Sequence, residues 1–191
     1  MSNAQTLVNH RIQNLLATLV EINESPLSSD IEVCIQMIVD SINSGNKILI
    51  AGNGGSASDS QHFAAELVCR YQLNRQALPA IALTADSATL TAIGNDLGYK
   101  RIFSRQLSAL ANQGDVFIGI STSATSPNIL HALEVAKDLK CKVILLTGNN
   151  SVQLDCIDQV ISVPASETAL IQEVHTVLIH TICESVEKLL A

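Results

Sequence analysis

The spacing of apolar positions changes along this chain, and each change marks an element. Leu7, Val8, Ile12, Leu15, Leu16, Leu19, Val20 and Ile22 recur at helical intervals, which predicts a first helix over residues 4–22. A break at 23–29 contains Pro26, and a second helix spans 27–44, capped by Ser28 or Ser29 and stopped by Gly45. The period then shifts. Ile48, Leu49, Ile50 and Ala51 form an unbroken apolar run, the pattern of a parallel strand covered on both faces. Similar runs at 79–84, 115–120, 141–146 and 159–163 predict further strands. Helical patterns separate them, from 57 onward and at 87–93, 99–111, 127–139 and 167–190, with a short helical turn at 151–156. Strands alternating with helices predict an α/β, three-layer sandwich around a five-stranded parallel sheet of flavodoxin-like type. A pair of helices (1–45) precedes the α/β core (46–191) within one domain. That pair either covers its own core or packs against other subunits.

Ligands of such sheets bind beyond the carboxyl ends of the strands. The loops there are Gly52–Ser56, Gly94–Asp96, Ser121–Ser126 and Thr147–Asn150. Gly52, Asn53, Gly54, Gly55 and Ser56 lie between a strand and a helix start, with Ser56 as a plausible cap and Asp59 near the positive end of the dipole. Strand, glycine turn and helix start together offer free amides to an anion, usually a phosphate. Ser121, Thr122, Ser123, Thr125 and Ser126 repeat the geometry before Pro127, and their hydroxyls suit a phosphate dianion. The plainer reading of that loop is a polar turn capped by Ser126. Asn95 and Asp96 could hydrogen-bond sugar hydroxyls or simply form an Asx turn. The glycine turn lacks both the dinucleotide fingerprint and the Walker lysine.

His62 and Glu66 are four apart on one helix face, so they form a surface pair, a metal-ligand pair or an acid–base pair. The last helix is strongly apolar, yet it carries Gln172, His175 and His180. One or both histidines are satisfied core residues, or the two helices assemble a site of imidazole, carboxylate and carboxamide that suits Zn²⁺. His10 and His131 read as surface residues, and Asp86 as the cap of the helix after it.

Composition narrows the classes. The 191 residues are 47% hydrophobic but only 3% aromatic, so the core is built from Ile, Leu, Val and Ala. A formal net charge of −7 argues against nucleic acid as a partner, with Arg70 and Arg75 left as a local basic patch. No apolar run is long enough to span a membrane and nothing resembles a signal peptide. Five scattered cysteines without CxxC spacing suit free thiols in a reducing cytoplasm.

The segments AGNGGSASDSQHFAAEL, GNDLGY, GISTSATSPNIL, LLTG and IQEVH, in this order and spacing, resemble the phosphoheptose isomerases of the sugar isomerase (SIS) domain superfamily. The resemblance covers about residues 40–190, and the N-terminal helices fit as well. It implies conversion of sedoheptulose 7-phosphate to D-glycero-D-manno-heptose 7-phosphate, the first step toward the heptose of lipopolysaccharide. It also implies a homotetramer with sites at subunit interfaces and one zinc per subunit. The family's metal positions fall on His62, Glu66, Gln172 and His180. Its substrate positions fall on Asn53, Gly54, Gly55, Glu66, Asn95, Asp96, Ser121, Thr122, Ser123, Ser126 and Gln172. Within that resemblance Glu66 is the natural base and His180 the acid for an enediol proton transfer.

Two positions depart from the family pattern. Ala124 stands where the serine loop usually has glycine, so the loop is tilted or the position needs no positive φ. Leu170 stands where an arginine often precedes IQE. The competing class is a non-catalytic relative that shares the tetramer and binds the replication initiator DnaA. As the resemblance has it, that relative lacks the acid and imidazole at the positions of Glu66 and His180, which are present here.

Overall fold

The structure, a computed structural model, describes residues 3–149 and 154–191. Two helices open the chain, α1 (Asn3–Asn23) and α2 (Leu27–Asn43). The core follows as β1 (Ile48–Gly52), α3 (Gly55–Val68), β2 (Ala80–Ala82), α4 (Ser87–Asp96), a 3₁₀ turn (Tyr99–Arg101), α5 (Ser104–Leu110), β3 (Val116–Ile120), α6 (Pro127–Asp138), β4 (Lys142–Thr147), β5 (Gln159–Ser162) and α7 (Thr168–Leu190). The five strands are parallel, in the order β2-β1-β3-β4-β5.

The unbroken apolar runs follow from burial on both faces. Within β1, Ile48 and Ile50 enter one core layer, while Leu49 and Ala51 enter the other. The first layer is closed by α2, α3 and α7 through residues such as Ile38, Phe63, Leu67, Val174 and Ile182. The second is closed by α5, α6 and the turn before α5 through Leu107, Ile129, Leu133, Ile102 and Phe103. At the amino edge of the sheet, buried Asp115 accepts hydrogen bonds from the backbone amides of Lys47 and Asn112 and from Lys47 Nζ. Three cysteines, Cys34, Cys141 and Cys183, are buried free thiols, whereas Cys69 is exposed. No helix among the described residues is long and apolar enough to cross a membrane.

Several expected boundaries move, each for a local reason. The strand expected at 79–84 shrinks to three residues, because β2 is an edge strand bonded only to β1 and Pro79 brings no donor. Ile81 accordingly remains 37% exposed rather than covered on both faces. The helix expected at 99–111 is broken, since adjacent Ile102 and Phe103 both turn into the second core layer, and a continuous helix would set them about 100° apart. Residues 94–96 are not a loop but the last turn of α4, which Gly98 ends at φ 87°. Ser25, not Ser28 or Ser29, bonds the amide at the start of α2, since its hydroxyl accepts from Leu27 N. The first half of the turn expected at 151–156, with Asn150 before it, lies outside the described residues.

Helix α1 is half engaged. Leu15, Leu19 and Ile22 lean on the first layer, while Leu7, Val8, Ile12, Leu16 and Val20 are each more than half exposed in the single chain. His175 resolves to the core reading: it is fully buried on α7, with Nε2 3.3 Å from the Thr147 carbonyl and Nδ1 unpartnered. Burial pushes its imidazole down to about 4, against the weaker opposing effect of that hydrogen bond. The folded state therefore holds a neutral ring where the unfolded chain, titrating near 6.5, takes up a proton. Stability is full above about pH 6.5 and declines as pH falls toward 4, by up to roughly 3 kcal/mol from this group. Urea unfolding at stepped pH should show this slope in the native protein and a flatter one in His175→Leu.

Candidate functional site

The sheet order places a topological switch between β1 and β3, since the chain leaves β1 toward β2 and then returns to the other side. Pairing of Gly52 with Ile120 sets the glycine and serine loops side by side at the carboxyl edge. Each loop runs straight into a helix, α3 or α6, and neither helix start is capped by a side chain. The uncapped first amides of α3 are thus left for water or an anion, whereas at α6 Pro127 has no N–H and the Ile129 amide bonds Asn128 Oδ1 at 3.0 Å, so α6 offers the switch point mainly its positive dipole end.

Details of the loops differ from expectation. Gly54, not Ser56, occupies the cap position of α3, at φ 54°. Ser56 sits buried in the first turn, its carbonyl accepting from Ser60 Oγ. Asp59 is not a dipole partner either: it is half-buried with Oδ2 unpartnered, and burial raises its carboxyl above the usual range despite nearby His62. Ser126 does take the cap position of α6, but its hydroxyl accepts from Ser121 Oγ at 3.1 Å instead of capping the helix. Ser123 Oγ lies 2.8 Å from Thr125 Oγ1.

The structure also shows a tie that the sequence did not disclose. Asn53 and buried Asn128 exchange two side-chain hydrogen bonds, at 2.9 and 2.8 Å, joining the glycine loop to the first turn of α6. Tyr99 donates to Asn53 Oδ1 at 3.1 Å. Asn53 is thereby largely occupied in holding the two loops together. A cavity of about 290 Å³ opens beside this tie, walled by Gly52, Asn53, Gly54, Thr84, Gly94 and Tyr99 among others. Asn95 and Asp96 are not in its wall; they are exposed at the end of α4 and bonded to each other at 2.7 Å.

The imidazole–carboxylate group forms on the other side of the glycine turn, between α3 and α7. His62 Nε2 is 3.2 Å from Glu66 Oε1 and 3.4 Å from His180 Nε2. The two imidazole rings meet edge to face, and Tyr71 lies tilted against His180 with ring centroids 5.5 Å apart. Gln172, two turns before His180, reaches the start of α3 instead. A Cβ at Gly55 would come within 2.6 Å of the Gln172 amide, so a side chain there would push the Gln172 end aside from its present place. His62, Glu66 and His180 are therefore brought together, with Gln172 above them at the glycine turn.

Ligands on one tetrahedral zinc lie about 3.3 Å apart, given bonds of about 2.0–2.1 Å. The His62–His180 and His62–Glu66 separations of 3.4 and 3.2 Å fit that spacing. Yet no three His, Cys, Asp or Glu side chains among the described residues form a ready metal cluster. The fit thus rests on two pairs that share His62, not on a closed ligand shell.

The model of the SIS domain matches residues 10–148. A phosphoheptose isomerase from Aliarcobacter butzleri is 49% identical over 176 residues, covering 92% of this chain and 91% of that protein. The chain belongs to the phosphoheptose isomerase family. Solved phosphoheptose isomerase structures agree with this fold. That from Neisseria gonorrhoeae has a TM-score of 0.90 at 36% identity, covering 97% of this chain and 100% of that one. That from Francisella tularensis has a TM-score of 0.92 at 34% identity, covering 98% and 100%.

The two departures from the family pattern have different weights. Leu170 is buried in the first core layer and serves packing. Ala124 adopts φ 54°, so the position does take the left-handed conformation, now with a Cβ present. That conformation costs a non-glycine residue about 1–2 kcal/mol. Ala124→Gly should therefore raise the free energy of unfolding by about 1 kcal/mol, less the extra chain entropy glycine brings to the unfolded state. Denaturant titration of the two proteins checks this, and a lowered midpoint would contradict the strain.

Proposed function

We propose that this chain isomerises sedoheptulose 7-phosphate to D-glycero-D-manno-heptose 7-phosphate. The observation that carries the reading is the meeting of His62, Glu66 and His180 between α3 and α7, about two to three helix turns beyond a glycine turn built for an anion. The names of the relatives described above support the substrate.

The phosphate is assigned to the uncapped amides at the start of α3 and the positive dipole end of α6, with Ser121, Thr122, Ser123 and Ser126 as hydroxyl partners. Gly54, Gly55, Ser56 and Gln172 line the approach, and Asn53 acts by holding the loops in register. Asn95 and Asp96 remain proposed sugar contacts, although in the single chain they sit at the end of α4. In the reaction Glu66 removes a proton from C1 of the open-chain ketose while His180 gives a proton to the C2 carbonyl oxygen, forming the 1,2-enediol. Glu66 then returns its proton to C2 as the C1 hydroxyl gives its proton to His180, leaving the C1 aldehyde. Each group ends as it began.

His62, Glu66, Gln172 and His180 are the proposed zinc ligands, one ion per subunit. Bound there, zinc would supply positive charge to oxygens that become negative in the enediolate. A carboxylate bound to zinc is a weaker base, so the ligand role and the base role of Glu66 belong to separate steps. The exposed apolar stripe of α1 supports a homotetramer. A cytoplasmic place at the start of lipopolysaccharide heptose synthesis belongs to the same proposal.

Glu66→Gln keeps shape and removes the base, so kcat should fall at least about 100-fold while the oligomer and unfolding midpoint hold. Full turnover in that variant would remove Glu66 as base. Elemental analysis of purified protein should give zinc at up to one ion per subunit, lowered in His62→Ala. Active protein free of zinc under all conditions would overturn the ligand assignment.

A further inference from the structure

Glu187 lies on α7 seven residues after His180, about two turns along nearly the same face. Its carboxylate is almost sealed from solvent, and both oxygens are engaged. Oε2 accepts from Tyr71 N at 2.9 Å, and Oε1 accepts from Gln72 N at 2.7 Å and from Leu73 N. Arg75 Nε stands 3.1 Å from Oε2 as an ion pair, with side chains only 4% and 1% exposed. The same guanidinium donates to the carbonyls of Leu67 and Glu66 at 2.8 and 2.9 Å, filling acceptors at the end of α3. Arg75 is thus not part of a basic surface patch.

We propose that Glu187 is a positioning residue of the site: with Arg75 it clamps the end of α3 to α7 and holds Tyr71 against His180. The clamp touches the backbone of Glu66 at one end, and at the other it fixes the residue whose ring packs on His180. A fully buried ion pair contributes little stability compared with apolar side chains of the same volume. What it supplies is fixed geometry, because a fork of guanidinium nitrogens and a carboxylate with three amide donors admit one arrangement. Burial alone would raise the Glu187 carboxyl, but the amides of Leu73, Gln72 and Tyr71 and the charge of Arg75 hold it below the usual range, so the clamp is ionised. The functional side of this inference rests on the isomerase reading above.

The test compares Glu187→Gln with Leu133→Ala, a cavity variant in the opposite core layer. Turnover of sedoheptulose 7-phosphate is measured alongside NMR of labelled histidine. Glu187→Gln should lower kcat about tenfold or more with KM within about threefold, and should shift the His180 ring signals as Tyr71 leaves. Leu133→Ala should move neither. Arg75→Lys keeps the charge but loses the fork, and should behave like Glu187→Gln. Wild-type kcat and His180 signals in a folded Glu187→Gln would overturn the clamp, as would equal changes in Leu133→Ala. Failure of both clamp variants to fold while Leu133→Ala folds would assign the pair to folding alone and also overturn it. If the wild type does not turn over this sugar, the isomerase reading fails by itself, and the His180 signals still decide the clamp.

Discussion

The close approach of α7 to α3 is the constraint on which the rest depends. The absence of a side chain at position 55 leaves room for the Gln172 amide, whose flexible end would have to turn aside for a Cβ there. Once α7 is seated, Val174, Leu178 and Ile182 seal the first core layer over Ile48, Ile50 and Phe63. The same seating brings His180 to His62 at 3.4 Å. Core closure and site assembly are therefore one packing event. A shift of α7 by one residue would turn its polar side chains about 100° away from α3 and expose part of its apolar face.

The anion cradle uses a different currency. This chain carries a net charge of −7, and the switch point is furnished with amides and hydroxyls instead of lysines and arginines. Amides at helix starts act over a few ångströms, so they recognise a phosphate already in the crevice without attracting polyanions from afar. The Asn53–Asn128 exchange keeps the two helix starts in register. Positive φ at Ala124 shapes the serine loop in the same region, with strain retained where a glycine would relieve it.

The sheet, its parallel sense and the helix alternation were legible because burial on both faces leaves unbroken apolar runs, which few other arrangements produce. His62 with Glu66 was legible from four-residue spacing, and the likeness to a known family pointed to Gln172 and His180 across more than a hundred residues. What stayed hidden depends on contacts between segments distant in sequence. Asn128 follows Pro127 as an ordinary polar residue of a first turn, and nothing local says that it meets Asn53. Glu187 sits among Ser, Val, Lys and Leu with nothing local to mark it as a buried partner, yet the loop carrying Tyr71 folds over it. The extra length expected of β2 was lost for a related reason: edge position is set by sheet order, and apolar residues in 79–84 look alike at an edge or a centre.

Helix α7 shows how one element can hold stability and chemistry together. Its polar groups lie at different depths, and each depth has its own partner. His175 faces β4, fully buried and neutral, bonded to the Thr147 carbonyl. Gln172 and His180 face α3, partly exposed, where a ligand could reach them. Glu187 is buried again but charged, because amides and a guanidinium replace the water it lost. Burying polar groups without partners would cost the helix its place in the core, and exposing them all would open the first layer to water. Spacing of three, five and seven residues between these groups turns them toward strand, neighbouring helix and loop in succession, so the segment that closes the core also builds the site wall.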